Sequence, residues 1–202
     1  MIKFVNQFIM DTSNLINSIS KYVSVSVEEV ERLYLSSLFL TMQIRQGEFT
    51  EKTGNISKGF IYINSGCLMT YFTDKQATDH VIQFATAGWW TGDLHSFTNT
   101  TPSIYTSKAL ADSEIFLLQK NDMDQLLQRF PKFERYFRII FQNSLITHQH
   151  RIIQNLSASA EERYLQFQEK YPSLEQYVPL KYIASYLGIT PEFLSKIRRR
   201  RS

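Results

Sequence analysis

Glu192, Ser195, Lys196 and Arg199 recur at intervals of one to four residues near the C-terminus, inside VPLKYIASYLGITPEFLSKIRRRR. Residues so spaced fall on one side of a helix. A carboxylate there can accept from the amino group of cytosine, and a lysine can donate to guanine or to a phosphate. Thr190, with the free N–H groups of a helix start, suits a phosphate oxygen. Arg198, Arg200 and Arg201 add a diffuse attraction for a polyanion. Catalytic constellations are missing by contrast. The chain has no Gly-x-Ser-x-Gly elbow, His-Glu-x-x-His pair, Walker loop or dinucleotide fingerprint, so no enzyme activity is expected. Cys67 is the single cysteine, which excludes a disulfide scaffold, a four-thiolate zinc site and a cysteine-held iron–sulfur cluster within one chain. His148 and His150 point to different sides of a helix, and His80 and His95 are isolated in sequence. No metal and no cofactor is expected.

Two short helices around a tight turn must hold those side chains in place. Ile183, Leu187, Ile189, Leu194 and Ile197 supply their shared core at helical spacing. Ala184 lies where the helices cross closest. Gly188 follows the first helix and can take the left-handed conformation that turns the chain. Thr190 can cap the second helix, and Pro191 occupies its first turn, where a missing N–H costs nothing. Together these positions spell a helix-turn-helix. The alternative is a helical hairpin that only packs, in a ligand-binding or protein-interaction module.

Charge is distributed to match. The chain has 22 basic and 19 acidic residues, but 1–119 hold eight basic against eleven acidic and 158–202 hold eight against five. A length of 202 residues suffices for one large or two small domains. Six of the seven glycines lie between Gly47 and Gly92, punctuating short runs rich in Ile, Tyr, Phe, Thr and Val. The pattern predicts strands at Phe60–Ile63, Leu68–Phe72, Val81–Phe84, Ile104–Leu110 and Ile115–Leu118, an antiparallel jelly roll within an α+β chain. Ahead of it, Ser26 and Glu29 make a capping-box pattern for a helix over Val27–Leu35, and another helix is read around Ser13–Tyr22. Behind it, Asn121 is read as the cap of a helix ending at Arg129. Another helix is expected over Ala158–Lys170, and between Tyr171 and Leu180 there is room for a turn or one short strand. No apolar run is long enough to span a membrane, and Asn6 and Gln7 interrupt that of the N-terminus. A cytoplasmic protein without a membrane partner is expected.

Residues 132–157 are uninterrupted by glycine or proline and predict a helix of roughly 25 residues, about 40 Å long. Its apolar residues form two rows, one of Phe133, Phe137, Ile140, Phe141, Leu145, Ile152 and Leu156, the other of Tyr136, Ile139, Ile146 and Ile153. Two rows imply two packing partners. The helix is either buried within its own domain or shared between the β block and a second copy of the chain.

The order of parts, and above all the helix-turn-helix, resembles the cyclic-AMP receptor protein and FNR (Crp-Fnr) family of bacterial transcription regulators over nearly the full length. The resemblance implies three parts: a cyclic-nucleotide-binding-like sensor domain over 1–131, a dimerisation helix over 132–157 and a helix-turn-helix domain over 158–202. It implies double-stranded DNA, a homodimer and RNA polymerase as partners, with Thr190, Glu192, Ser195, Lys196 and Arg199 toward DNA and the second row, Tyr136, Ile139, Ile146 and Ile153, toward the other copy. The family's nucleotide cassette has Gly-Glu for the ribose and Arg-Ser or Arg-Thr for the phosphate. Here Gly92 and Asp93 stand for the first pair, and the phosphate position falls near Ser103, with no arginine from Asp93 to Lys108. Gly92, Asp93 and Ser103 then mark the place of an effector that is not a cyclic nucleotide, or of none.

Overall fold

The computed structural model describes residues 3–4, 11–23 and 27–201. Among the described residues nine strands form two antiparallel sheets. The first runs in the order β1 (Lys3–Phe4), β2 (Phe39–Ile44), β9 (Ser113–Leu118), β4 (Phe60–Ser65) and β7 (Trp90–Thr91). The second runs β3 (Phe49–Glu51), β8 (Thr106–Ala109), β5 (Cys67–Thr73) and β6 (Asp79–Thr86). The helices are α1 (Ser13–Val23), α2 (Glu29–Leu38), α3 (Leu94–Asn99), α4 (Lys120–Arg129), α5 (Lys132–Ser157), α6 (Ala160–Lys170), α7 (Leu180–Leu187) and α8 (Pro191–Arg201). None is long and apolar enough to cross a membrane.

β4 lies inside the first sheet and is covered on both faces, which explains why it reads as an apolar run instead of an alternation. Phe60 and Tyr62 point to one side, where they meet Phe39, Phe116 and Trp90 and the apolar faces of α1, α2, α4 and the start of α5. Ile61 and Ile63 point to the other, where Met42, Ile44, Ile115 and Leu117 face Leu68, Ala85 and Ala109 of the second sheet. Aromatic side chains fill the irregular gap between helices and sheet, and aliphatic ones the flatter gap between sheets. The outer face of the second sheet, with Cys67, Met69, Val81 and Phe84, is covered by Tyr164, Phe167, Tyr171, Ile183, Ala184 and Leu187 of α6, its C-terminal end and α7. The helix-turn-helix core is therefore continuous with the outer face of the second sheet.

Several element boundaries differ from expectation. β1, β2, β3, β7 and the helix α3 lie outside the expected set; β2 follows α2 directly, and its exposure does not alternate. The strand expected over Ile104–Leu110 is shortened to β8, because the Ser103 hydroxyl accepts the Tyr105 N–H at 3.0 Å and holds the chain in a turn. Ser26 lies outside the described residues, and the capping box of α2 is made by Glu28 and Glu31. Glu31 also reaches Lys132 at 2.6 Å, tying α2 to the first turn of α5. α4 starts at Lys120 after Gln119, not at an Asn121 cap. α6 starts at Ala160 because Ser159 and Glu162 form a capping box. Between Tyr171 and Leu180 there is a 3-10 turn (Leu174–Gln176) and no strand.

α5 departs most from the two-row reading. Tyr136 belongs to no outer surface: it is fully buried, its hydroxyl accepts from Trp90 Nε1 at 2.9 Å and lies 3.1 Å from the Ser18 hydroxyl of α1. Phe133 and Phe137 are buried beside it. Beyond Phe141 the inward face turns polar, and the apolar residues of both rows (Leu145, Ile146, Ile152, Ile153 and Leu156) are exposed. The division runs along the helix, because the sheet supports only its N-terminal third.

The Tyr136–Trp90 bond generates a stability prediction. Tyr136→Phe leaves a buried indole N–H without its acceptor and should cost about 1–3 kcal/mol. Chemical denaturation monitored by tryptophan fluorescence should show a lower midpoint with an unchanged slope.

Candidate functional site

The C-terminal pair of helices is built as its residues demand. Gly188 ends α7 at φ +67°, where its N–H reaches the Ser185 carbonyl and the Ile189 N–H reaches that of Ala184. The Thr190 hydroxyl accepts the Phe193 N–H at 3.2 Å and caps α8. Ile183, Ala184, Leu187, Leu194 and Ile197 are buried between the helices. Their burial fixes the rotation of α8. Glu192, Lys196 and Arg199 are exposed on its outer side, and Ser195 is half-buried beside them with its hydroxyl donated to the Pro191 carbonyl. Thr190 is exposed at the helix start. Phe193 was not singled out from sequence, yet 45% of it is exposed next to Glu192. Its apolar ring is of the type that contacts a thymine methyl. Arg200 lies 3.5 Å from Glu161 of α6, which steadies the last turn.

α7 is attached to β6 by polar bonds as well as by packing. β6 is an edge strand, and its unpaired side faces α7. The Ser185 hydroxyl donates to the Asp79 carbonyl at 2.8 Å and accepts the Val81 N–H at 3.0 Å. Arg151 of α5 donates to the carbonyls of Val81 at 2.9 Å, of Ile82, and of Tyr186 at 3.0 Å. Its guanidinium lies 4.2 Å from the centre of the Tyr186 ring. Burial pulls Arg151 below the ordinary arginine value, against the opposing influence of Tyr186 and Tyr171.

A cavity of about 680 Å³ lies between the sheets' β6–β7 side, the middle of α5 and the docked C-terminal unit. At one end Phe60, Trp90, Ile140 and Phe141 present apolar walls, beside Gly92 and Asp93. At the other are His148, Arg151 and Lys170, with Trp89, Tyr171 and Tyr186. Of the three residues expected to mark the effector, Gly92 and Asp93 line the cavity and Ser103 does not. Gly92 has φ +140°, and a Cβ there would come within 3.3 Å of Phe60. Asp93 accepts the Ser96 N–H at 3.0 Å, capping α3, and the Ser103 hydroxyl at 2.9 Å. Ser103 is thus sealed beneath Asp93. Glu51, also missed from sequence, is buried near the same pair. Its burial, reinforced by the negative charge of Asp93, holds its carboxyl above the ordinary carboxylate range. The cassette end is acidic, and its two carboxylates offer no counter-charge to a phosphate. Lys108 points elsewhere, with its ammonium 5.6 Å from the Phe49 ring. Among the described residues no group of three or more metal-ligating side chains occurs.

Residues 41–130 match the family model of the cyclic nucleotide-binding domain. Among solved structures, the catabolite activator protein of Thermus thermophilus is 18% identical, over 91% of this chain and 85% of its own, with a TM-score of 0.57. A Eubacterium rectale protein assigned to the Crp/Fnr family of transcription regulators is 16% identical over 86% and 83%, with a TM-score of 0.66. FixK2 of Bradyrhizobium japonicum is 13% identical over 80% and 83%, with a TM-score of 0.69. No curated protein matches the chain. Residues 41–130 are therefore similar to the cyclic nucleotide-binding domain, in a chain that has the fold of the Crp/Fnr transcription regulators.

Proposed function

We propose that the chain is a homodimeric, sequence-specific DNA-binding transcription regulator of the cytoplasm whose β domain senses a small molecule other than a cyclic nucleotide. One observation carries the reading: α8 is locked by its core yet presents Glu192, Lys196 and Arg199 to solvent on one side. In a helix-turn-helix that side enters the major groove, N-terminal end first. RNA polymerase is the further partner such a regulator acts upon. The reading of the C-terminal helices as a purely packing hairpin accounts for α7 on β6 but leaves the exposed polar side of α8 without a role.

Dimerisation is assigned to the outward side of α5, through Ile139, Leu145, Ile146, Ile152, Ile153 and Leu156. The last five are exposed, Leu156 by 83%, and recur at steps of three, four and seven residues. Such a stripe pairs with its own copy in a two-fold coiled coil. A cyclic phosphate is a poor effector here, because a buried phosphate beside Glu51 and Asp93 would lack compensation.

Three outcomes test these statements. In a library of duplexes, Glu192→Ala or Lys196→Ala should change base preference within each half-site at a cost of about 1–3 kcal/mol. Arg199→Ala should do so less, and half-sites should lie about 10 base pairs apart. Unchanged preference in both the Glu192 and Lys196 variants would show that α8 does not read bases. Ile146→Glu together with Ile153→Glu should give monomers by sedimentation, and a full dimer would remove α5 from the interface. Glu51→Gln should stabilise the protein at neutral pH. Because the folded-state value of Glu51 is raised, its contribution is favourable below the ordinary carboxylate range and lost as pH rises through the raised value. The advantage of the glutamine variant should accordingly shrink as pH falls, read from denaturation midpoints across that range.

A further inference from the structure

The two ends of the cavity have opposite character, and the end at the sensor–α7 junction lacks an anion. His148, Arg151 and Lys170 converge there. The Lys170 ammonium has only the faces of Trp89 at 5.1 Å and Tyr171 at 5.2 Å, and none of the ion pairs found among the described residues involves these three cations. Burial, and then the charge of Arg151, draws Lys170 below its ordinary value; burial, Arg151 and Lys170 do the same to His148. A second cleft of about 220 Å³ adjoins the first through Thr147, Arg151, Lys170 and Tyr186. It adds Arg163, whose buried Nε has no hydrogen-bond partner, and no carboxylate lines it. Arg151 is half-buried while His148 and Lys170 are open to solvent, and like charges gathered at one end of a cavity attract an anion. The one carboxylate lining the larger cavity, Asp93, is engaged by Ser96 and Ser103 at the far end.

Between the ends, α5 rises about 15 Å from Phe141 to Arg151. The volume suits a ligand of ordinary metabolite size. Phe60, Trp90, Ile140 and Phe141 offer apolar contact to such a body, and neither arginine nor lysine stands among them. We propose that this cavity binds an amphipathic anion, with an apolar body against Phe60, Trp90 and Phe141 and a carboxylate or phosphate head on Arg151, Lys170 and His148. The proposal rests on the reading of the β domain as a sensor. Lys170 and Tyr186 belong to the C-terminal unit, and Trp89 and Trp90 to the sheets. Occupancy therefore bridges the sensor and the unit that carries α8.

Calorimetry on the full-length protein without DNA tests this, with Trp89 and Trp90 fluorescence followed in parallel. Decanoate and decyl phosphate are the anionic probes, and whichever binds more tightly identifies the head group. At least one should show saturable binding below about 1 mM, and decan-1-ol and acetate should each bind at least about tenfold more weakly. Lys170→Met keeps the length of the side chain and removes its charge. It should weaken the preferred anion by about tenfold or more and leave decan-1-ol unaffected. No saturable binding of either anion, decan-1-ol binding as tightly as the anions, or an unaffected Lys170→Met variant would each overturn the proposal. Should that variant fold poorly, the head-group preference of the unaltered protein decides alone. Binding is measured in the absence of DNA, so a failure of DNA recognition and a failure of this site are read separately.

Discussion

An edge strand buried under another unit must find partners for its outward backbone groups, and β6 finds them chiefly in Arg151 and Ser185, with the Tyr171 hydroxyl donating to the Phe84 carbonyl at 3.3 Å. Buried carbonyls left without donors cost about 1–3 kcal/mol each. Arg151 supplies donors to Val81 and Ile82 from α5 and to Tyr186 at the end of α7, while Ser185 serves the Asp79 carbonyl and the Val81 N–H. A guanidinium can do this because its donors point outward in a fixed plane; a lysine at 151 would carry the charge without reaching three carbonyls and the Tyr186 ring together. The placement of α7, and through the helix-turn-helix core that of α8, is thereby referred to the edge of the sensor sheet.

Packing follows the same line. The apolar residues of α6 and α7 do not close a core of their own; they share one with Cys67, Met69, Val81 and Phe84. At the opposite face of the molecule, Tyr136 and Trp90 bind the first turns of α5 to β7 and α1. α5 is anchored at its start by the first sheet and near its end by the second sheet's edge, and the cavity occupies the stretch between. Gln83, Trp89, Arg151 and Tyr186 line that cavity and also belong to, or contact, the docking surface. Filling it and holding α7 draw on the same atoms, which links the cavity directly to the placement of the helix-turn-helix.

The sequence made the helix-turn-helix readable because its signals are local: Ala184, Gly188, Thr190 and Pro191 act within a few residues of one another. Four of the five expected strands fell close to their observed positions because glycine marks their turns. β2 was not readable, since its partner β9 lies some seventy residues away and its exposure pattern does not alternate. Tyr136 illustrates the limit of periodicity. Spacing puts it in a row with Ile139, Ile146 and Ile153 but does not reveal that Trp90 and Ser18 wait beneath it. Glu51 and Arg151 carry no local signal at all. The burial that perturbs Glu51 and the carbonyls that fix Arg151 exist only once distant strands and helices have come together.

The cassette residues show why a motif and a ligand can part company within one fold. Gly92 is demanded by a φ of +140° and by the closeness of Phe60. Asp93 is demanded by the N-terminus of α3, where it caps an N–H, and by the buried Ser103 hydroxyl. Both therefore have structural duties that need no bound nucleotide. A phosphate would require a cation among them, yet the buried carboxyl of Glu51 lies near Asp93, and the arginine and lysine that line the cavity, Arg151 and Lys170, stand at its other end. Charge has been placed at the end where α7 meets β6. An anion drawn to that end would act on the docking of the reading helix itself, whereas one drawn to the cassette would act only on the β domain. The position of charge in this cavity, more than the survival of Gly92 and Asp93, sets where an anion would be held in this fold.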